Sequence, residues 1–487
     1  MGERQRKLHG IMICVPYQGH LNPFVNLALK LASNGIAITF VHLEFLHRKL
    51  CQTHHANKTD VDLFSKARES GLDIRFTTMA DPFPLEFDRD ANFHEYWEGM
   101  VHDFPPLVDE FVGKILASDR DNMLHFLVAD TVYNWPAAVA RKYNLVSVSL
   151  WTQSALVYCL GYHWDLLQQN GHFPCKVFLF GATDEVEEEI KYVPGVESIN
   201  TKYIMPYLKQ SLCESVVSRA SRLLFEQGKM ADFVLQNTVE ELELQTLSAL
   251  NQYLPNYAVG PLNFSQNIPT NIVTTSLWSK SDCTTWLESK PPASVLYVSF
   301  GSFVHTNMQV LEELAYGLLL SQVNFVWVIR QGILGDGATA SVLPAGFQDA
   351  VKERGLIIGW CDQVETLLNP AVGGFLTHSG WNSTLESMWC GVPMICYPIG
   401  FDQPCNSKLV VADWKIGIHL CEGGSLDREN VAHKIQSFMN GGDLERLKQN
   451  AERVRRIMKS AVETDGSSKT NFDRFLKDLE AKIHFHS

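Results

Sequence analysis

Three places in this chain gather residue types that can do chemistry. Near the start, the apolar run Ile11 to Val15 breaks into Pro16-Tyr17-Gln18-Gly19-His20. In open α/β sheets ligands collect at the carboxyl ends of strands, so His20 is predicted at a binding edge, with Gly19 letting the backbone turn sharply. An imidazole titrating near ~6.5 suits general-base work at neutral pH. Asp130 ends a second apolar run, His125–Ala129, and precedes Thr131 at another strand-to-helix junction. The two residues are therefore predicted on one edge of one sheet; the competing reading of Asp130 is a helix N-cap. The third place is Val372 to Gly391, where a buried strand breaks at His378-Ser379-Gly380. A helix is predicted from about Asn382-Ser383 to Cys390, with Gly391 as its stop. Such a junction aims backbone N–H groups and the positive end of a helix dipole at the sheet edge, an arrangement that binds phosphate. His378, Asn382 and Ser383 add donors. Glu386 lies four residues after Asn382, on the same helix face, where a carboxylate can accept from ribose hydroxyls.

These residues need elements to hold them. Residues 10–42 read as a βαβ unit, with Asn22 as helix N-cap, Pro23 at the first helical position and Phe24, Leu27, Ala28 and Leu31 at helical spacing. Further strands are predicted at Ile36–Val41, His125–Ala129 and Val146–Leu150. A second series covers Ser294–Phe300, Asn324–Ile329, Leu356–Gly359, Gly374–Thr377 and Pro393–Tyr397. Alternating strands and helices argue for parallel sheets. The stretch Val259 to about Asp282, rich in Asn, Ser, Thr and Pro, has linker composition, and about Asn440 to Leu479 is charged and helical.

Bulk properties agree. At 487 residues the chain suits two α/β domains. A net charge of −13 argues against nucleic acid or an anionic membrane as partner, so a phosphorylated ligand must be gripped by local groups. The 11 cysteines form no CxxC pair; Cys14 and Cys396 sit in apolar runs, and a reducing cytoplasmic location is expected. No run reaches 18 apolar residues, so no membrane insertion is expected. His54-His55, the acidic run Asp184 to Glu189 and the basic cluster Arg453–Arg456 read as solvated surface.

The segment Trp360 to Gln403, WCDQVETLLNPAVGGFLTHSGWNSTLESMWCGVPMICYPIGFDQ, resembles the 44-residue signature of plant family-1 UDP-dependent glycosyltransferases. The resemblance covers nearly the whole chain, with further landmarks at Gly260-Pro261-Leu262, Phe300-Gly301-Ser302 and Gly466-Ser467-Ser468. It implies an α/β GT-B fold of two facing Rossmann-like doubly wound domains and an inverting hexosyltransferase. The domain expectation is 1–255 for the acceptor-binding domain with the catalytic histidine, 256–282 for the linker and 283–459 for the UDP-sugar domain. A final helix, about 460–487, is expected to pack back on the first domain.

Carried over by position, the resemblance implies that Trp360 stacks under the uracil, that Gln363 contacts it and that Cys361 offers its backbone. Glu386 would hold the ribose, and His378, Gly380, Asn382, Ser383 and Ser302 the diphosphate. Trp381, Asp402 and Gln403 would face the sugar, with Thr152 reaching it from the first domain. Asp130 would hydrogen-bond His20, fix its tautomer and stabilise the imidazolium. One departure is Asn369, where the family usually carries histidine.

Gln403 implies UDP-glucose as co-substrate, with galactose, rhamnose or xylose donors as alternatives. Neither a metal nor another cofactor is implied, since no DxD pair stands in the metal-binding position. For the acceptor, aromatic residues of the first half, above all Phe87, Trp97 and Tyr133, suggest a small lipophilic terpenoid, flavonoid or other phenolic. A monomer is expected. Two rival classes fail on motifs: one glycine in PYQGHLNP is no dinucleotide fingerprint, and no GxSxG marks a hydrolase. A nucleotide-sugar-binding protein without turnover remains as the non-catalytic alternative.

Overall fold

The computed structural model describes residues 6–54, 62–172, 187–209, 216–264, 273, 275–334, 343–421 and 426–486. His55, the start of the acidic run from Asp184 and much of the linker lie outside them. The chain divides into one unit of residues 1–277 with 460–487 and a second of residues 278–459.

In the first unit the strands are β1 (Leu8–Ile13), β2 (Ala37–Leu43), β3 (Ile74–Met79), β4 (Leu124–Asp130), β5 (Val146–Trp151), β6 (Glu189–Ile190), β7 (Ile199–Asn200), β8 (Phe233–Gln236) and β9 (Asn256–Ala258). Seven form a sheet in the order β3-β2-β1-β4-β5-β8-β9, every pair parallel, while β6 and β7 make a small antiparallel ribbon. β2 and β5 are buried along their whole length, which is why they read as unbroken apolar runs. Connections leave β1 to one side and β4 to the other, so a topological switch point falls between them. Ile13 pairs with Ala129, which sets the turn after β1 beside Asp130.

That turn differs from the expectation. The helix runs Gln18–Ser33 behind Tyr17, whose carbonyl accepts the N–H groups of His20 and Leu21 at 2.9 and 2.8 Å. Asn22 is therefore not the cap. Pro23 lies inside the helix at the expense of one intrahelical bond, a cost tolerable this close to the start. Gly19 is helical too, and the reversal is made by residues 14–17, closed by Tyr17 N–H to the Val15 carbonyl.

The last helix, Ser467–His486, belongs to the first unit. Phe475 packs edge-on against Phe233 and Tyr257, and Tyr257 donates to Asp478 at 2.6 Å. Ser468 donates to the Gly260 carbonyl, so two landmarks far apart in sequence are one structural joint.

The second unit has β10 (Val295–Ser299), β11 (Asn324–Val328), β12 (Gly355–Ile358), β13 (Val372–Thr377), β14 (Met394–Cys396) and β15 (Gly417–His419). Their order is β12-β11-β10-β13-β14-β15, again all parallel. Its switch point lies between β10 and β13, where Phe300-Gly301-Ser302 and His378-Ser379-Gly380 emerge side by side. No helix among the described residues is long and apolar enough to cross a membrane.

Candidate functional site

In the first unit the structure brings His20 and Asp130 together. His20 Nδ1 lies 2.7 Å from Asp130 Oδ2, with the histidine side chain 17% exposed and the carboxylate 1%. The other carboxylate oxygen accepts the Val132 N–H at 3.1 Å, so Asp130 is fixed from both sides. An ionised carboxylate only accepts, which places the imidazole proton on Nδ1 and leaves Nε2 as the basic nitrogen. Thr152, expected at the sugar, has its hydroxyl 3.1 Å from the same Nδ1. It is 4% exposed and stands just beyond β5, as Asp130 closes β4.

The aromatic residues divide. Trp97 donates its indole N–H to the Tyr17 hydroxyl at 3.2 Å, and the Tyr17 ring lies 6.4 Å from that of His20. Tyr17 thus ties Trp97 to the imidazole, a link no spacing rule reveals. Burial pushes the Tyr17 phenol well up, so it stays protonated. Phe87 is half-buried and stacked on Phe83 at 4.3 Å. Their loop is pinned by Arg89, which pairs with Asp81 through two 2.7 Å bonds and donates to the Phe87 carbonyl. Tyr133 is placed in the core instead. It is 2% exposed, donates to the Cys14 carbonyl at 2.9 Å and packs on Phe104 and Trp135.

In the second unit β13 ends at Thr377, Ser379 takes a left-handed conformation (φ 65°), and the helix Trp381–Cys390 begins behind Gly380. Gly380, the N-cap residue, supplies no side-chain cap to this helix start, where the positive end of the helix dipole lies. His378 is clamped beneath the junction. A Cβ on Gly301 would stand 2.6 Å from its imidazole, and one on Gly380 2.4 Å. Burial, assisted by the nearby Arg330 charge, pulls its pKa down to about 4, so the ring is neutral at pH 7. Arg330, 6% exposed, donates to the Val304 carbonyl at 2.6 Å and brings a buried cation to the loop carrying Ser302. Sequence reading passed over it; an arginine directly after the run NFVWVI was the available signal.

Gln363 is the hinge of the remaining contacts. Its amide donates to Ser383 Oγ at 3.0 Å and to Glu386 Oε2 at 2.7 Å, and its carbonyl accepts from Tyr297 at 3.3 Å. Trp360 is half-buried and stacked on Trp278, centroids 4.5 Å apart, so one indole face is already covered. Trp381 is buried (3% exposed) and tilted against Trp414, so what it presents at the junction is backbone. Asn382 sits in the first turn of the helix, half-buried. Gln403 spends its side-chain oxygen on the N–H groups of Ile399 and Gly400, at 2.8 and 3.0 Å, and Asp402 accepts from Asn406 at 2.6 Å. The divergent Asn369 caps the end of the helix Gln363–Leu368, accepting the Ala371 N–H.

Comparison with known proteins agrees with this pair of doubly wound units. Residues 194–461 match the family model of UDP-glucuronosyl and UDP-glucosyl transferases. UDP-glycosyltransferase 86A1 of Arabidopsis thaliana is 47% identical over 485 residues, 99% of this chain and 96% of that protein. A 7-deoxyloganetin glucosyltransferase of Catharanthus roseus is 31% identical over 98% of this chain and 97% of its own length. The crystal structure of a UDP-glucose:anthocyanidin 3-O-glucosyltransferase in complex with UDP superposes with a TM-score of 0.79 over 98% of this chain and all of that one, at 23% identity, a likeness of fold. A strand–helix junction at the switch point of one unit, a carboxylate-oriented histidine in the other and relatives matched end to end make one conclusion: this chain belongs to the plant family-1 UDP-glycosyltransferases and has their GT-B fold.

Proposed function

We propose that the enzyme transfers glucose from UDP-glucose to a hydroxyl of a small lipophilic plant metabolite, with inversion at the anomeric carbon. The observation that carries this reading is the 2.7 Å contact between His20 Nδ1 and the buried Asp130 carboxylate. It leaves Nε2 to take the acceptor's proton as the oxygen attacks C1 from the face opposite UDP. Asp130 stabilises the imidazolium that forms, and an α-linked donor yields a β-glucoside. UDP leaves as an anion. The growing charge is met by the N–H groups and positive dipole end at the Trp381 helix start, with Ser302, Ser383 and Arg330 nearby. Neutral His378 acts there as a hydrogen-bonding group rather than a cation. These groups supply the neutralisation without a metal.

Glucose is favoured by the Gln403 amide nitrogen, a donor held in place because the side-chain oxygen is bound to its own loop. The glucosyltransferase names of the relatives point the same way. A lipophilic, ring-containing acceptor is supported by Tyr17 and Trp97 beside the imidazole, with the half-buried Phe87 in the same apolar cluster. The test is His20→Ala. Turnover of a hydroxyl acceptor should fall by about 10² to 10⁴, while UDP affinity, read by calorimetry, stays within twofold (~2-fold). Lost UDP binding with normal turnover of what still binds would remove His20 from the chemistry.

A further inference from the structure

We propose that Cys283 and Cys361 form a reversible disulfide that weakens nucleotide binding; the second clause rests on Trp360 being the uracil platform. Cys283 opens the short helix Thr284–Glu288, and Cys361 directly follows Trp360. Both are free and buried, 7% and 4% exposed. Each sulfur lies 3.4 Å from the same Thr366 hydroxyl, which brings the two thiols to one point. From there, rotation and a small backbone shift bring sulfurs to the ~2.05 Å of a disulfide.

Cys283 also differs chemically from four other cysteines. At Cys14, Cys159, Cys390 and Cys396 burial pushes the thiol up and out of reactivity. At Cys283 the neighbouring Cys361 thiol, with help from Thr366, outweighs burial and pulls the thiol down, while Cys361 is held up. Cys283, the more exposed of the two, attacks first as the thiolate. It displaces one thiolate from a small disulfide oxidant such as oxidised glutathione and forms a mixed disulfide. Cys361 then gives up its proton and attacks the Cys283 sulfur, expelling the second thiolate. Two protein thiols are oxidised and one glutathione disulfide is reduced to two thiols.

The bond would be felt at the nucleotide because the same residues tie the loop together. The Trp360 carbonyl accepts the Ser281 N–H at 2.8 Å, two residues from Cys283, and Trp278 covers one face of the Trp360 ring. The Cys361 sulfur lies 3.5 Å from the Tyr297 hydroxyl, which donates to Gln363, and Gln363 in turn holds Ser383 and Glu386. Drawing Cys361 toward Cys283 shifts the indole and slackens that chain.

The experiment treats the full-length protein with oxidised glutathione, maps non-reduced peptides by mass and titrates UDP before and after. A cross-linked peptide joining Cys283 to Cys361, with UDP affinity reduced about fivefold or more, the low end of one base–aromatic stack, is expected. Dithiothreitol should reverse both changes, and Cys283→Ser should show neither while binding UDP normally when reduced. No such cross-link, or a cross-link with unchanged UDP affinity, overturns the proposal. Trp360→Ala in the reduced protein tests the platform separately: if it binds UDP normally, the base assignment has failed, whatever the cysteines do.

Discussion

The carboxylate of Asp130 makes two contacts that both require an acceptor, and that makes Asp130→Asn a sharp probe. One oxygen must accept the Val132 N–H, and the other must accept from His20 Nδ1. An asparagine that keeps its oxygen on Val132 turns its NH₂ toward the imidazole. Nδ1 then has to accept, the proton moves to Nε2, and the base is lost although every atom is near its old place. Turnover at saturating substrates should drop by about 10² to 10⁴, with UDP affinity and thermal midpoint close to the parent's; steady-state kinetics beside calorimetry read the split. Retained turnover would show that the tautomer is set elsewhere, with the Thr152 hydroxyl the nearest candidate. At this scale the sequence was legible where a residue's position follows from a strand end, as with His20 and Asp130, which the structure brings together. It was not legible for Tyr133, Trp381 or Thr152. Whether an aromatic ring is core or lining, and which atom a hydroxyl meets, depends on packing that no local pattern encodes.

The strand–helix junction after β13 works because two glycines leave room for one imidazole. Gly380 has φ −62° and ψ 143°, a conformation alanine adopts without strain, so backbone preference does not explain the glycine. Space does: an added methyl would stand 2.4 Å from His378 Nε2, and one on Gly301 would stand 2.6 Å from the same ring. With the ring 7% exposed, the imidazole cannot simply swing away. Gly380→Ala should therefore displace His378 or tilt the first helical turn and weaken UDP binding about tenfold or more, the low end for a hydrogen bond to a charged group. Equilibrium titration checks this, and circular dichroism should show the fold intact; unchanged affinity would mean that this junction does not carry the diphosphate. Among elements, the long buried strands were readable as apolar runs, as was the helix stop at Gly391, whose φ of 72° is the left-handed cap expected. β9 and β15 span three residues each and are too short to show a period, while β3 carries Arg75, Thr77 and Thr78 and is only partly buried. The first helix was mistaken at its start because Pro23 imitates an N1 proline.

For the molecule as a whole, 54 acidic against 41 basic residues give a net charge of −13, the same sign as the donor's diphosphate. Long-range and short-range electrostatics then act in opposite directions. At low salt the surplus negative charge slows the approach of UDP, whereas in the proposed donor site the helix-start amides and the buried Arg330 would hold it only after arrival. Surface charges are screened by salt, and groups as enclosed as Arg330, 6% exposed, far less. Raising ionic strength from ~10 to ~150 mM shortens the screening length from about 30 to about 8 Å. The association rate of UDP, followed by stopped-flow tryptophan fluorescence, should therefore rise severalfold over that range while the dissociation rate changes little. Phosphate sites built from exposed lysines and arginines behave in the reverse sense, losing affinity steadily as salt is added. An association rate that falls with salt would mean that a local positive field outweighs the net charge, and the diphosphate would then be held chiefly by side-chain cations rather than by the amides where β13 meets its helix.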